Sequence, residues 1–131
     1  MSVSWANTRF VPTGLCSMRV AIIGSRKIEY SEKIIKLLLN NIPCGCSEIV
    51  SGGAVGIDRL AAKTAQLLDI HTVEIRPDYQ SFGKAAPLVR NRDIARYADC
   101  VMALWDYKSC GTRSVILDCL ESGKPVRIIG I

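Results

Sequence analysis

The chain has 131 residues, 49% of them hydrophobic, 22% charged and 6% aromatic, the composition of one ordinary globular domain. Ten scattered glycines exclude a collagen-like chain, the apolar content excludes disorder, and no run approaches the ~18 consecutive apolar residues of a membrane span. The formal charge is +5, and residues 76–96 alone hold five bases (Arg76, Lys84, Arg90, Arg92, Arg96) against two acids (Asp78, Asp93). More than half of the excess therefore sits in one segment, which suits an anionic partner.

Six cysteines, with no apolar leader before them and no C-x-x-C spacing, read as free thiols in a reducing cytoplasm. Cys16, Cys44 and Cys46 fall in tail or loop, whereas Cys100, Cys110 and Cys119 sit beside or inside apolar runs. With His71 as the single histidine, no metal site is expected. No cofactor is required, and Mg²⁺ would enter only with a polyphosphate ligand.

Residues 1–17 hold one charge, Arg9, with Pro12 and Gly14, and show no period of strand or helix. They read as a flexible arm, and Met18 is a second candidate for the start of the chain. A single domain then runs over residues 18–131. Short β-branched runs alternate there with helical patterns, which predicts an α/β, Rossmann-like, doubly wound fold: about five parallel strands with helices on both faces.

The first strand is predicted at residues 19–23 and the first helix at 30–40, its face made by Tyr30, Ile34, Leu37 and Leu38. A short strand at 48–50 precedes a helix whose inward run is Ile57, Leu60, Ala61, Thr64 and Leu68. The third strand covers 71–75, and the stretch 76–86 reads as a long irregular connection, a candidate lid. Pro87 suits the first turn of a third helix that runs to Ala98, placing Arg90 and Asn91 in that turn. The fourth strand is 100–104. Thr112 is the expected N-cap of a last helix with Val115, Ile116, Cys119 and Leu120 inward and Gly123 as its stop, before a fifth strand at 126–129.

In an open parallel sheet, ligands bind at the carboxyl ends of the strands. Those ends lead here into Gly24-Ser25-Arg26, Ser51-Gly52-Gly53-Ala54, Arg76-Pro77-Asp78 and Trp105-Asp106, the last followed by Ser109-Cys110-Gly111-Thr112. Glycines let amides approach an oxyanion, and a helix N-terminus adds free donors and partial positive charge. Neither a Walker loop nor the dinucleotide fingerprint G-x-G-x-x-G is present. Arg26 and Arg90 offer planar forks matched to phosphate. Asp58, Asn91 and Asp106 would orient a ribose or order the loops, and Trp105, Tyr79 and Phe82 offer surfaces for a base.

Taken in order, Gly24-Ser25-Arg26, Ser51 through Asp58, Arg90-Asn91 and Trp105 through Thr112 resemble the SLOG superfamily of Rossmann-like proteins. The resemblance spans about 110 residues. It is closest to the small stand-alone proteins of the YspA and YpsA kind, and it touches the LOG phosphoribohydrolases and the Rossmann core of DNA-processing protein A. It implies binding of a phosphate-bearing, nucleotide-derived ligand such as an ADP-ribose derivative, with backbone donors at Gly24, Ser25, Gly52, Gly53, Gly111 and Thr112. In the LOG motif P-G-G-x-G-T-x-x-E the catalytic glutamate would fall on Val115, so no catalytic residue is assigned. The alternatives are a nucleotide hydrolase using Asp58, Asp78, Asp106 or Cys110, and a protein that binds single-stranded DNA. A homodimer fits a domain of this size, although no residue singles out its interface.

Overall fold

The computed structural model describes residues 18–131, and the arm expected over residues 1–17 lies outside them. Strands β1 (Met18–Gly24), β2 (Cys46–Ser51), β3 (His71–Glu74), β4 (Cys100–Trp105) and β5 (Val126–Gly130) form one sheet in the order β3-β2-β1-β4-β5. Every pairing is parallel. Four helices connect them, α1 (Glu32–Asn41), α2 (Val55–Leu68), α4 (Ala86–Tyr97) and α5 (Cys110–Ser122), with the one-turn helix α3 (Tyr79–Phe82) between β3 and α4.

Alternation along the central strands builds the two cores. Val20 and Ile22 of β1, with Met102 and Leu104 of β4, pack beneath Ile35 and Leu38 of α1 and Ile57 and Leu60 of α2. Ala21 and Ile23, with Val101 and Ala103, pack beneath Ile94 of α4 and Val115, Ile116 and Cys119 of α5. Buried on both faces, β1 and β4 are therefore continuous apolar runs. From β1 the chain steps outward to β2 and β3, then crosses back to β4 and β5. The strand order reverses between β1 and β4, and a crevice opens at their carboxyl ends.

Several local expectations are corrected. Tyr30 precedes α1 rather than opening it, because the Ser31 hydroxyl caps the helix by accepting from the Ile34 amide at 3.3 Å. Leu68 is 39% exposed, and the buried face of α2 ends instead on Thr64 and Ala65. The connection after β3 is not irregular: the Asp78 carboxylate caps α3 by accepting from the Ser81 amide at 3.1 Å, and a 3₁₀ turn (Gly83–Ala85) feeds α4. Cys46 opens β2 rather than lying in a loop.

Helix α4 starts at Ala86, so Arg90 and Asn91 lie in its second turn. Ser109, not Thr112, caps α5, and Leu120 is 62% exposed rather than inward. Gly123, with φ of 73°, ends α5 as expected. At the opposite end of α4, the Lys124 ammonium donates to the carbonyls of Ala95, Arg96 and Ala98, supplying a positive charge where the helix dipole is negative. The cysteines among the described residues are free thiols. Burial pushes Cys46 and Cys119 up to about 11 and Cys100 up to about 12, which keeps them protonated and unreactive.

Candidate functional site

The crevice between β1 and β4 is a cleft of about 220 Å³ lined by Ile23, Gly24, Arg26, Ala54, Pro87, Leu88, Arg90, Asn91, Ser109, Gly111, Thr112 and Val115. Seven residues singled out in the sequence meet here: Gly24, Arg26, Arg90, Asn91, Ser109, Gly111 and Thr112. They come from three distant segments, and the sheet topology alone joins them.

Arg90 is held from two sides. Its Nε donates to Asn91 Oδ1 at 2.8 Å and its Nη1 donates to the Gly52 carbonyl. Burial first, and then the nearby positive charge of Arg26, lower the Arg90 pKa from its ordinary value. An arginine stays protonated under such a shift, so the cleft carries two cations that repel one another. An anion bound between them would relieve both the repulsion and the desolvation.

The third element is the start of α5. The Asp106 carboxylate accepts from the amides of Lys108 and Ser109 at 2.9 and 2.8 Å, which fixes the loop and draws the Asp106 pKa below its ordinary value. Trp105 Nε1 donates to the Ser109 carbonyl at 3.2 Å, and its ring lies 5.1 Å from that of Tyr107. Ser109 Oγ then accepts from the Thr112 amide at 3.4 Å and from Thr112 Oγ1 at 3.2 Å. Cys110 and Gly111 occupy the first turn, where amides have no carbonyl within the helix to bond.

Other residues expected at the site stand behind the cleft rather than on its surface. Ser25 is buried, and its hydroxyl accepts from the Lys27 amide at 3.2 Å to shape the turn after β1. Ser51 is buried at the end of β2, where its carbonyl accepts from the Ile75 amide at 2.9 Å. Gly52 meets the cleft through Arg90, and Gly53, with φ of 91°, takes a left-handed turn disfavoured for other residues. The Gly53 amide donates to Asp58 Oδ1 at 3.1 Å, so Asp58 orders this loop. Trp105 and Asp106 likewise brace the loop before α5.

Asp58 faces a second carboxyl group. Burial, and then the hydrogen-bonded neighbour Glu74, raise the Asp58 pKa, while hydrogen bonds from Ser51 and Gly53 pull it down. Glu74 moves the other way, lowered by Asp58 and by Arg76, whose Nη2 donates to it at 3.1 Å. With the folded pKa of Asp58 above the unfolded value, ionising this group costs stability as pH rises through the folded pKa, and the cost is absent below about 3.9. Asp58→Asn keeps the acceptor for Gly53 and offers Glu74 a donor. In urea denaturation it should exceed the native chain in stability near pH ~7, with the advantage fading toward pH ~3.

The cleft also has walls that motif reading missed, Ile23, Pro87 and Leu88, and Leu88 is 52% exposed. Val115, at the position of the LOG glutamate, forms an apolar wall at 1% exposure, and none of the lining residues is acidic. His71 lies at the amino end of β3, its Nε2 2.9 Å from Glu48, at the edge of the sheet opposite Cys110. Among the described residues no cluster of histidine, cysteine and carboxylate side chains could hold a metal, and no helix is long and apolar enough to cross a membrane.

No curated protein and no solved structure matches the chain. A family model does, over residues 13–79, just over half of the 131 residues and reaching from before β1 to the start of α3. The matched part holds the turn after β1 and the loop that opens α2, while Arg90 and the start of α5 lie beyond it. On this match the chain belongs to the family described as DNA recombination-mediator protein A.

Proposed function

We propose that the protein binds a phosphate-bearing nucleotide or nucleotide-derived ligand of the ADP-ribose kind in the cleft at the carboxyl edge of the sheet. The phosphate lies between Arg26 and Arg90 and against the first-turn amides of α5. One observation carries this reading: two arginines close enough to perturb one another line a cleft with no acidic lining residue, beside a helix N-terminus. Binding is favoured over hydrolysis because Val115 stands where the LOG motif has its glutamate. The motif order supports a reading of the chain as a SLOG protein of the small stand-alone kind.

The test is thermal denaturation with adenosine monophosphate, ADP-ribose, NAD and a short oligothymidylate, run beside Arg26→Ala. Arg26 is exposed, so its removal should leave the unliganded chain intact. At a hundredfold excess over Kd a nucleotide adds about 2.7 kcal/mol, a shift of roughly 10 °C for a domain of this size. Arg26→Ala should lose most of that shift. Silence from every nucleotide overturns the reading.

Single-stranded DNA is the second reading, favoured by the family match and by Tyr79 and Phe82, which are 58% and 48% exposed in the basic segment. Bases stack on such rings while arginines follow the phosphates. Oligothymidylate binding that weakens steeply with salt, together with no response to mononucleotides, would select it.

A further inference from the structure

The cleft is smaller than a whole nucleotide requires. Its volume of about 220 Å³ falls below the ~300–1,000 Å³ of pockets that enclose their ligands, so a nucleotide with its phosphate between Arg26 and Arg90 extends beyond it. A base leaving the cleft needs a flat apolar surface at the same edge of the sheet. The loop between β4 and α5 carries one.

Tyr107 lies in that loop with φ of 63°, in the left-handed region that a bulky side chain rarely adopts. Asp69 shares this conformation, but there it ends α2. At Tyr107 the turn is held by the Asp106 carboxylate, which accepts from the Lys108 and Ser109 amides. The ring lies across the end of β5, since a Cβ on Gly130 would lie 2.9 Å from Tyr107 Cε2 and Cζ. Gly130 is in register with Trp105, whose ring stands 5.1 Å from that of Tyr107 at 45°. The tyrosine is thus braced by a glycine floor and a tryptophan wall, yet it is 65% exposed. An exposed ring already fixed in place loses little freedom when a partner stacks on it.

This ring also adjoins the anion site. Trp105 Nε1 donates to the carbonyl of Ser109, which lines the cleft, so one indole separates the cleft wall from Tyr107. The rival surface is Tyr79, which is near enough to Arg90 to act on its charge. It stands on α3, a single turn with no buried residue, and so lacks such bracing. The register that sets Val115 on the LOG glutamate sets Tyr107 on the first proline of that motif, so the ring is a feature of this chain.

We propose that Tyr107 is the platform on which the base of the nucleotide stacks. The proposal rests on the cleft reading above and narrows it: the ligand class is nucleotides with an intact base, purine before pyrimidine, rather than sugar phosphates. Stacking uses the π-face that every base has, so adenine and guanine are both accepted and the larger ring gains more.

NMR titration with adenosine, guanosine and uridine monophosphates and with ribose 5-phosphate tests it on the native chain, Tyr107→Phe, Tyr107→Asn and Tyr79→Ala. Asparagine tolerates left-handed backbone, so Tyr107→Asn removes the ring and keeps the turn, as circular dichroism checks. The native chain should bind the purine nucleotides about tenfold or more tighter than ribose 5-phosphate, with the pyrimidine between. Tyr107→Phe should keep this preference. Tyr107→Asn should bring every nucleotide to the affinity of ribose 5-phosphate, itself unchanged. Adenosine monophosphate bound equally well by Tyr107→Asn overturns the proposal, as does a preference lost in Tyr79→Ala instead. A parallel loss of ribose 5-phosphate in Tyr107→Asn marks a structural role and overturns it too. Native affinity equal for nucleotide and ribose 5-phosphate removes the platform and leaves the cleft reading standing, whereas no binding of any of the four overturns both.

Discussion

Gly56→Ala should lower the unfolding free energy by about 3 kcal/mol or more, at the upper end of what overpacking costs. A Cβ at this position would lie 1.8 Å from the Ile28 carbonyl oxygen and 3.0 Å from the carbonyl carbon. The obstacle is backbone, and it cannot turn aside as a side chain would. Ile28 is anchored as well: its amide donates to the Ser25 carbonyl at 3.2 Å, and its side chain is buried in the core with Ile57. Moving it would withdraw that side chain and reshape the turn carrying Arg26. Gly111→Ala is the control, because the nearest atom to its Cβ lies at 3.8 Å. In urea denaturation it should match or exceed the native chain, since alanine is the better helix former. Equal stability for Gly56→Ala would show that α2 does not press on the first turn as described.

Arg90→Ala should weaken nucleotide binding by about 10- to 100-fold, the worth of a hydrogen bond to a charged group. The side chain both supplies charge and positions the cleft, since it ties Gly52 of the second loop to Asn91 of α4. Removing it leaves the Gly52 carbonyl without that donor, so the unliganded variant should also melt lower. Arg90→Lys keeps the charge without the fork and should fall between. Titration calorimetry on the three proteins separates these contributions. A dissociation constant unchanged in Arg90→Ala would place the phosphate elsewhere.

Strands buried on both faces were plain in the sequence, because a continuous β-branched run such as Val20 to Ile23 has few other homes. The carboxyl-edge loops followed from them, as small residues after a strand lead into the next helix. Less visible was how each loop is held. Ser109 and Thr112 are both sound N-cap residues three positions apart, and what decides between them is Asp106 holding the Ser109 amide from outside the helix. The irregular connection predicted after β3 failed for a related reason: Pro77 and Gly83 suggested a loop without structure, while the cap from Asp78 organises the residues between them. Leu120 shows another limit. Its spacing matches the inward face of α5, but α5 borders the edge strand, and no pattern within one helix reveals where the sheet ends. Arg90 stood out in the sequence, but its ties to Gly52 and Asn91 and its closeness to Arg26 became legible only in space.

The most direct test of the cleft is a backbone amide NMR titration of the native chain with ADP-ribose. The account predicts the largest shift changes at residues 24–26, at Arg90 and Asn91, and at residues 109–112. A second open groove provides the contrast, lined by Cys44, Ser47, Asp69 and His71 at the amino edge of the sheet. Changes confined to that groove, or absent everywhere at saturating ligand, would contradict the assignment of the carboxyl-edge cleft as the binding site.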